Sequence, residues 1–290
     1  MHRRSSCLLG FILIFCLVGG VRAQDQHTLT GEFRTHKAFH SRFLSADRDI
    51  LVYLPPGYAK KTKERYAVLY MHDGQNLFDG ATAFIKGSEW RLDESAQSLI
   101  SSKKIKPVII VGIYNSGAAR VDEYTPTRDD AHNMGGMGDL YGRMIVEELK
   151  PLIDSTYRTL PDIEHTAIGG SSLGALISLH LALAHPQTFG IVAVVSPSVW
   201  WDNKMIVREV NALKAKPRLR VWLDIGTKEG GNKGGDENTV NDAKALRDAL
   251  IAKGWKQGSD LMYFEAEGAA HNERSWAERV PPMLKFLFPR

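Results

Sequence analysis

The chain has 290 residues, 43% of them hydrophobic, with 37 basic and 33 acidic side chains and 2 cysteines. Three of the basic residues (Arg3, Arg4, Arg22) and both cysteines (Cys7, Cys16) fall within residues 1–23, which contain no acid. The remainder of the chain is near neutral and free of thiols, which excludes the charge balance of a nucleic-acid or anionic-membrane binder and any disulfide or thiolate framework.

In chain order, the basic start His2-Arg3-Arg4, the uncharged apolar run Cys7–Gly20 and the small residues before Gln24 read as a secretory signal peptide over residues 1–23. The protein is then expected to be secreted or periplasmic, with no stable membrane insertion after cleavage. Residues 24–290 are expected to form a single domain, long enough to rest on a hydrophobic core alone. Predicted strands are Ile50–Leu54, Tyr66–Met71, Val108–Ile113, Thr166–Gly169, Ile191–Val195, Leu219–Ile225 and Leu261–Glu265. The middle ones are continuous apolar runs, as in a sheet covered by helices on both faces. Predicted helices are Arg91–Ser101, Gly138–Thr156, Leu173–Ala184, Asn203–Leu213, Val240–Lys253 and Glu273–Phe288, with Asn203 and Asn272 placed to cap two of them. This alternation predicts an α/β fold around a mostly parallel central sheet, its N-terminal strands antiparallel. The long connections Asp73–Glu89 and Tyr114–Met137 both come after predicted strands, the end of an open α/β sheet that carries ligands.

Gly170-Ser171-Ser172-Leu173-Gly174 fits G-x-S-x-G, between a β-branched run and a helix-forming run. That is the setting of a nucleophile elbow, with Ser172 at its tip and the next helix aiming its N-terminus at it. A serine hydroxyl needs a base, and the base needs an acceptor that fixes its tautomer. His271 is the best-placed base, in the loop after the last predicted strand, whereas mid-helix His180 and helix-end His185 read as structural. Glu229, in the loop after Leu219–Ile225, is the favoured acid and Asp236 the next; Asp224 is still on the strand. The N–H groups of Leu173, directly after the serine, and of Gln75, in the turn after Met71-His72-Asp73-Gly74, are the candidate oxyanion donors. The His72-Asp73 pair has no companion ligands at helix or hairpin spacing, so no metal is expected.

Together, Met71-His72-Asp73-Gly74-Gln75-Asn76-Leu77-Phe78-Asp79, Val111-Gly112-Ile113-Tyr114-Asn115-Ser116, Arg120, Glu123-Tyr124-Thr125-Pro126, Gly169–Gly174, Ser196-Pro197-Ser198 and His271-Asn272-Glu273 make the chain resemble the putative esterase family of α/β-hydrolases. That family includes siderophore, feruloyl and acetyl-xylan esterases, S-formylglutathione hydrolases and mycolyltransferases. The resemblance implies an α/β-hydrolase fold, no cofactor, and a Ser-His-acid hydrolase with Ser172, His271 and Glu229 in those roles and Gln75 and Leu173 as oxyanion donors. One departure is Ala175, where many relatives have a second glycine.

Trp90, Trp200 and Trp201 are candidate aromatic contacts for an acyl group or sugar ring, and Arg120, with Arg128, could hold an anionic substrate. The expected activity is hydrolysis of a small-molecule or carbohydrate ester, siderophore esters included. The alternatives are acyl transfer to an alcohol and a ligand-binding module without catalysis.

Overall fold

The computed structural model describes residues 27–290; the expected signal peptide lies outside the described residues. The strands are β1 (Glu32–Phe39), β2 (Arg48–Leu54), β3 (Ala67–His72), β4 (Val108–Ile113), β5 (Arg128–Asp129), β6 (Met134–Gly135), β7 (Thr166–Ser172), β8 (Ile191–Pro197), β9 (Arg220–Lys228) and β10 (Leu261–Ala270). All but β5 and β6, which pair with each other, form one eight-stranded sheet in the order β1-β2-β4-β3-β7-β8-β9-β10. β1 and β2 are antiparallel, β2 joins β4 antiparallel, and every pair from β4 to β10 is parallel.

The helices are α1 (Leu92–Ser101), α2 (Arg120–Glu123), α3 (Gly138–Arg143), α4 (Lys150–Thr156), α5 (Leu173–Ala184), α6 (Trp201–Ala212), α7 (Lys233–Ala252) and α8 (Glu273–Leu287), with a π-helical stretch Met144–Leu149 joining α3 to α4. Strand side chains alternate between faces, so each central strand feeds two cores. Val68 and Tyr70 of β3 pack with Tyr141, Leu176, Ile206 and Leu246 under the helices from α3 to α7. Leu69 and Met71 pack on the other face with Leu92, Ala96, Val280 and Met283 of α1 and α8. Double coverage is why β3, β4 and β8 are buried from end to end.

The expected loop Tyr114–Met137 contains α2, β5 and β6, the expected helix Gly138–Thr156 is interrupted by the π-helical stretch, and three further departures have a local cause. β1 is absent from the predicted strands: it is an edge strand without a buried residue, and its mixed polar sequence carries little apolar alternation. α7 starts at Lys233, ahead of the predicted Val240, because the Asn232 side chain accepts from Gly235 N–H and caps a glycine-bearing first turn that reads as loop. Asn203 caps nothing; Asp202, Asn203 and Lys204 are left-handed within the first turn of α6. Asn272 does cap α8, accepting from Ser275 N–H at 3.0 Å.

Candidate active site

β7 ends at Ser172 and α5 begins at Leu173. The reversal is taken up by Ser172 itself, at φ 58° and ψ −124°, a conformation that costs a non-glycine residue about 1–3 kcal/mol. Neither Gly170 nor Gly174 has a positive φ. Their contribution is space: a Cβ on Gly170 would sit 3.0 Å from the Gly174 carbonyl carbon, and one on Gly174 would sit 3.3 Å from His72 Cβ.

His271 sits in the turn between β10 and α8, its ring edge-on to Trp276 at 5.1 Å between centroids. Its Nδ1 lies 2.9 Å from Glu229 Oε2. A carboxylate there holds the proton on Nδ1 and leaves Nε2 free to act as base. The Glu229 side chain is buried, and its other oxygen, Oε1, accepts from Ser196 Oγ at 2.6 Å, Gly226 N–H at 2.7 Å and Arg279 Nη2 at 3.3 Å. Burial works to raise the Glu229 carboxyl, but the hydrogen bonds from His271 and Ser196 outweigh it and hold it below the usual range. Asp236 accepts from Gly230 N–H at 2.8 Å and faces Lys228, so Glu229 and not Asp236 reaches the histidine. Asp224 is fully buried on β9, bonded to Arg279 Nη1 and Trp222 Nε1 at 2.6 Å each. Burial pushes its carboxyl up to about 6, against the pull of Arg279.

Gln75 lies in the short 3-10 turn Gly74–Asn76 after β3. Its N–H precedes the first hydrogen bond of that turn, and the Leu173 N–H is the first of α5, so neither has an acceptor within its own helix. The turn is held from three sides. Arg120 grips Asp73 with Nε and Nη2 at 2.7 and 2.8 Å. Asn115 N–H donates to Gln75 Oε1 at 3.2 Å. The Asn76 amide donates to Glu273 Oε1 at 3.1 Å and accepts from Phe84 N–H at 2.9 Å.

Ser172, Ser198, Trp200, Glu229, Asp242 and His271 line one cleft of about 250 Å³. Ser172 Oγ is 3.2 Å from Ser198 Oγ, and no Ser172–His271 hydrogen bond is formed among the described residues.

Of the expected substrate contacts, Trp200 is 52% exposed at the cleft, whereas Trp90 and Trp201 are each 2% exposed. Trp90 packs against Trp276 behind the histidine, and Trp201 donates to the Thr127 carbonyl at 3.1 Å, fixing the second long loop. Large aromatics beside a cleft are as useful beneath its walls as on its surface. Arg120 is engaged by Asp73, and the acids of its own loop have other partners: Asp122 accepts from Gly135 N–H at 2.6 Å, Glu123 pairs with buried Arg48 at 2.9 Å and Asp129 meets His132 at 2.9 Å. Arg128 is exposed and bonds to Asn133. His72 is fully buried, bonded to Tyr141 OH at 2.8 Å, and burial lowers it to about 3, so it stays neutral.

Sequence reasoning missed Arg279, Trp276 and the bond of Asn76. Arg279 did carry a signal: it interrupts the apolar face of α8 formed by Trp276, Val280, Met283 and Leu287, where a charge needs a buried partner.

Residues 41–287 match the family model described as “Putative esterase”. The Bacillus subtilis protein YjcH is 30% identical over 250 residues, which cover 86% of this chain and 95% of the relative. The iron(III) salmochelin esterase of Escherichia coli is 27% identical over 243 residues, covering 77% of this chain and 52% of that protein. Among solved structures, an IroE-like serine hydrolase from Shewanella oneidensis superposes with a TM-score of 0.71 at 22% identity, over 89% of this chain and 80% of that one. The shared architecture is the α/β-hydrolase fold.

Proposed function

The chain belongs to the esterase family whose model matches residues 41–287, and from that premise we propose that it is a serine hydrolase of carboxylic esters acting through an acyl-enzyme on Ser172. Ser172 Oγ attacks the ester carbonyl carbon while His271 Nε2 takes the hydroxyl proton. The tetrahedral oxyanion is received by the N–H groups of Gln75 and Leu173, the second at the positive end of α5. Collapse breaks the bond to the alcohol, which leaves with the proton from His271. Water then repeats the sequence on the acyl-enzyme, its proton passing to His271, and releases the carboxylic acid. Glu229 keeps the imidazole in the reactive tautomer and stabilises its charge in both halves.

The observation that carries this reading is the buried Glu229 carboxylate 2.9 Å from His271 Nδ1, within the cleft that the strained Ser172 also lines. The substrate class we propose is a small-molecule ester of the siderophore type or an ester of a carbohydrate. The salmochelin esterase relative supports the first, and exposed Trp200 offers an aromatic face to either. Ser172→Ala is expected to abolish turnover of a small aryl ester and labelling by a fluorophosphonate; retained turnover overturns the nucleophile assignment. Glu229→Gln is expected to lower kcat by roughly ten-thousandfold, as when a triad acid loses its charge. Secretion or periplasmic location is part of the same proposal, checked by whether the protein recovered outside the cytoplasm begins at Gln24.

A further inference from the structure

Behind the Glu229–His271 pair lies a second layer of buried charge. Arg279 enters from α8 with its side chain 3% exposed. Nη1 donates to Asp224 Oδ1 at 2.6 Å, Nη2 donates to Ser196 Oγ at 3.1 Å and to Glu229 Oε1 at 3.3 Å, and Nε donates to the Ser275 carbonyl at 3.2 Å. Ser196, itself at φ 45° and buried, gives its one proton to Glu229 Oε1 and also accepts from Trp276 Nε1 at 3.0 Å. Every polar atom of this cluster has a partner, which is the condition for a buried network to rigidify its surroundings. The distances divide the work. The guanidinium is closer to Asp224 than to Glu229, so its charge is balanced mainly by Asp224.

We infer that Arg279, held by Asp224, is the positioning residue of the acid: with Ser196 it fixes Glu229 Oε1 so that Oε2 alone serves His271, and Asp224 offsets its charge so that the Glu229 anion remains available to the imidazolium. The inference rests on the proposed Ser172-His271-Glu229 triad and adds Arg279 and Asp224, neither of which lines the cleft or bonds to His271 among the described residues. Without Asp224 the cation would pair fully with Glu229. Without Arg279 two buried carboxylates would stand together uncompensated.

The charged groups around Glu229 give the signs. Asp224 comes from β9, Arg279 from α8 and His271 from the turn before it, with Asp236, paired to Lys228, and Asp242, paired to Lys204, on α7. Arg279→Met removes a cation and makes the site more negative. The acidic limb of the kcat/KM–pH profile is therefore expected to move to higher pH, by roughly one unit. Above about pH 6, where the Asp224 carboxyl of the parent is ionised, Asp224→Asn leaves the cation uncompensated, and the limb is expected to move to lower pH. A residue that only fills space would lower activity in both variants without separating the two limbs. Should Arg279→Met not fold, Arg279→Met combined with Asp224→Asn removes both buried charges; its limb is expected close to that of the parent, with kcat reduced roughly tenfold or more by a Glu229 free to turn. Limbs that shift in the same direction, no shift in folded Arg279→Met, or unchanged kcat in the double variant overturn the inference. The parent and Ser172→Ala are assayed alongside. Turnover surviving in Ser172→Ala defeats the triad reading itself, whereas a dead Ser172→Ala with unseparated limbs defeats only the role of Arg279.

Discussion

Asn76 and Glu273 are 197 positions apart, and the Asn76 amide donates to the Glu273 carboxylate at 3.1 Å in the protein interior. The bond joins the turn that presents the Gln75 N–H to the first turn of α8, two residues past His271. It thus ties the proposed oxyanion site to the proposed base across the sheet, through the ends of two sequence motifs that are silent about each other. Asn76→Ala leaves a buried carboxylate and the Phe84 N–H without their partners, an expected loss of about 1–3 kcal/mol in unfolding free energy. With both ends of the site loosened, kcat for an ester substrate is expected to fall about tenfold. Unchanged stability and turnover in Asn76→Ala would show that the bond holds neither end in place.

The strain at Ser172 is measurable against inactive controls. Glycine adopts φ 58°, ψ −124° without a Cβ penalty, although it gives the unfolded chain more freedom. Strain relief is the larger of the two, so Ser172→Gly is expected to exceed Ser172→Ala in stability by about 1 kcal/mol, or about 2–4 °C in Tm. Calorimetry on the pair checks it; a Gly variant that melts below the Ala variant would show that the elbow is not strained.

Glu229 owes its place to a close approach of backbones. A Cβ on Gly230 would lie 1.8 Å from the Gly235 carbonyl carbon and 2.2 Å from Asp236 N, so the loop after β9 is pressed onto the first turn of α7. Gly230→Ala must push the two apart and carry Glu229 with it; an expected cost of about 2 kcal/mol or more is accompanied by a fall in kcat. Gly231→Ala, whose Cβ would meet open space at φ 77°, is the matched control and is expected to cost only about 1 kcal/mol, with kcat nearly retained. Equal effects of the two substitutions would refute the steric account.

The two buried carboxylates have opposite signatures in the pH dependence of stability. Folded Asp224 keeps its proton up to about pH 6, above its ordinary 3.8. Between those values the folded state binds more protons than the unfolded one, so this group lowers stability as pH rises through the window. Glu229 is held below its ordinary value, so its contribution is present above 4.5 and is lost as pH falls through the folded value. Urea unfolding at a series of pH values from about 4 to 6.5 isolates the Asp224 contribution. Over that range the parent is expected to lose on the order of 2 kcal/mol relative to Asp224→Asn. Parallel curves would contradict the shift at Asp224.

The continuous apolar runs of β3, β4 and β8 announced a sheet covered on both faces, and the G-x-S-x-G segment announced the strand-to-helix junction at Ser172, because burial and tight turns act on residues close together in the chain. The folded order of strands, β1-β2-β4-β3-β7-β8-β9-β10, does not follow chain order, and no local pattern encodes it. β1 escaped notice because an edge strand buries too little to show a period.

The sequence by itself determined the α/β alternation, the serine at its turn, and a histidine and an acid on later loops, since each depends on residue type and near neighbours. Only the tertiary structure decided that Glu229 and not Asp236 meets His271, that Trp90 and Trp201 are buried while Trp200 is exposed, that Arg120 serves Asp73, and that Arg279 stands behind the acid. Those outcomes depend on which distant side chain supplies a missing hydrogen bond or counter-charge once water is excluded, and a buried polar group takes the partner that the packing of the whole sheet brings to it.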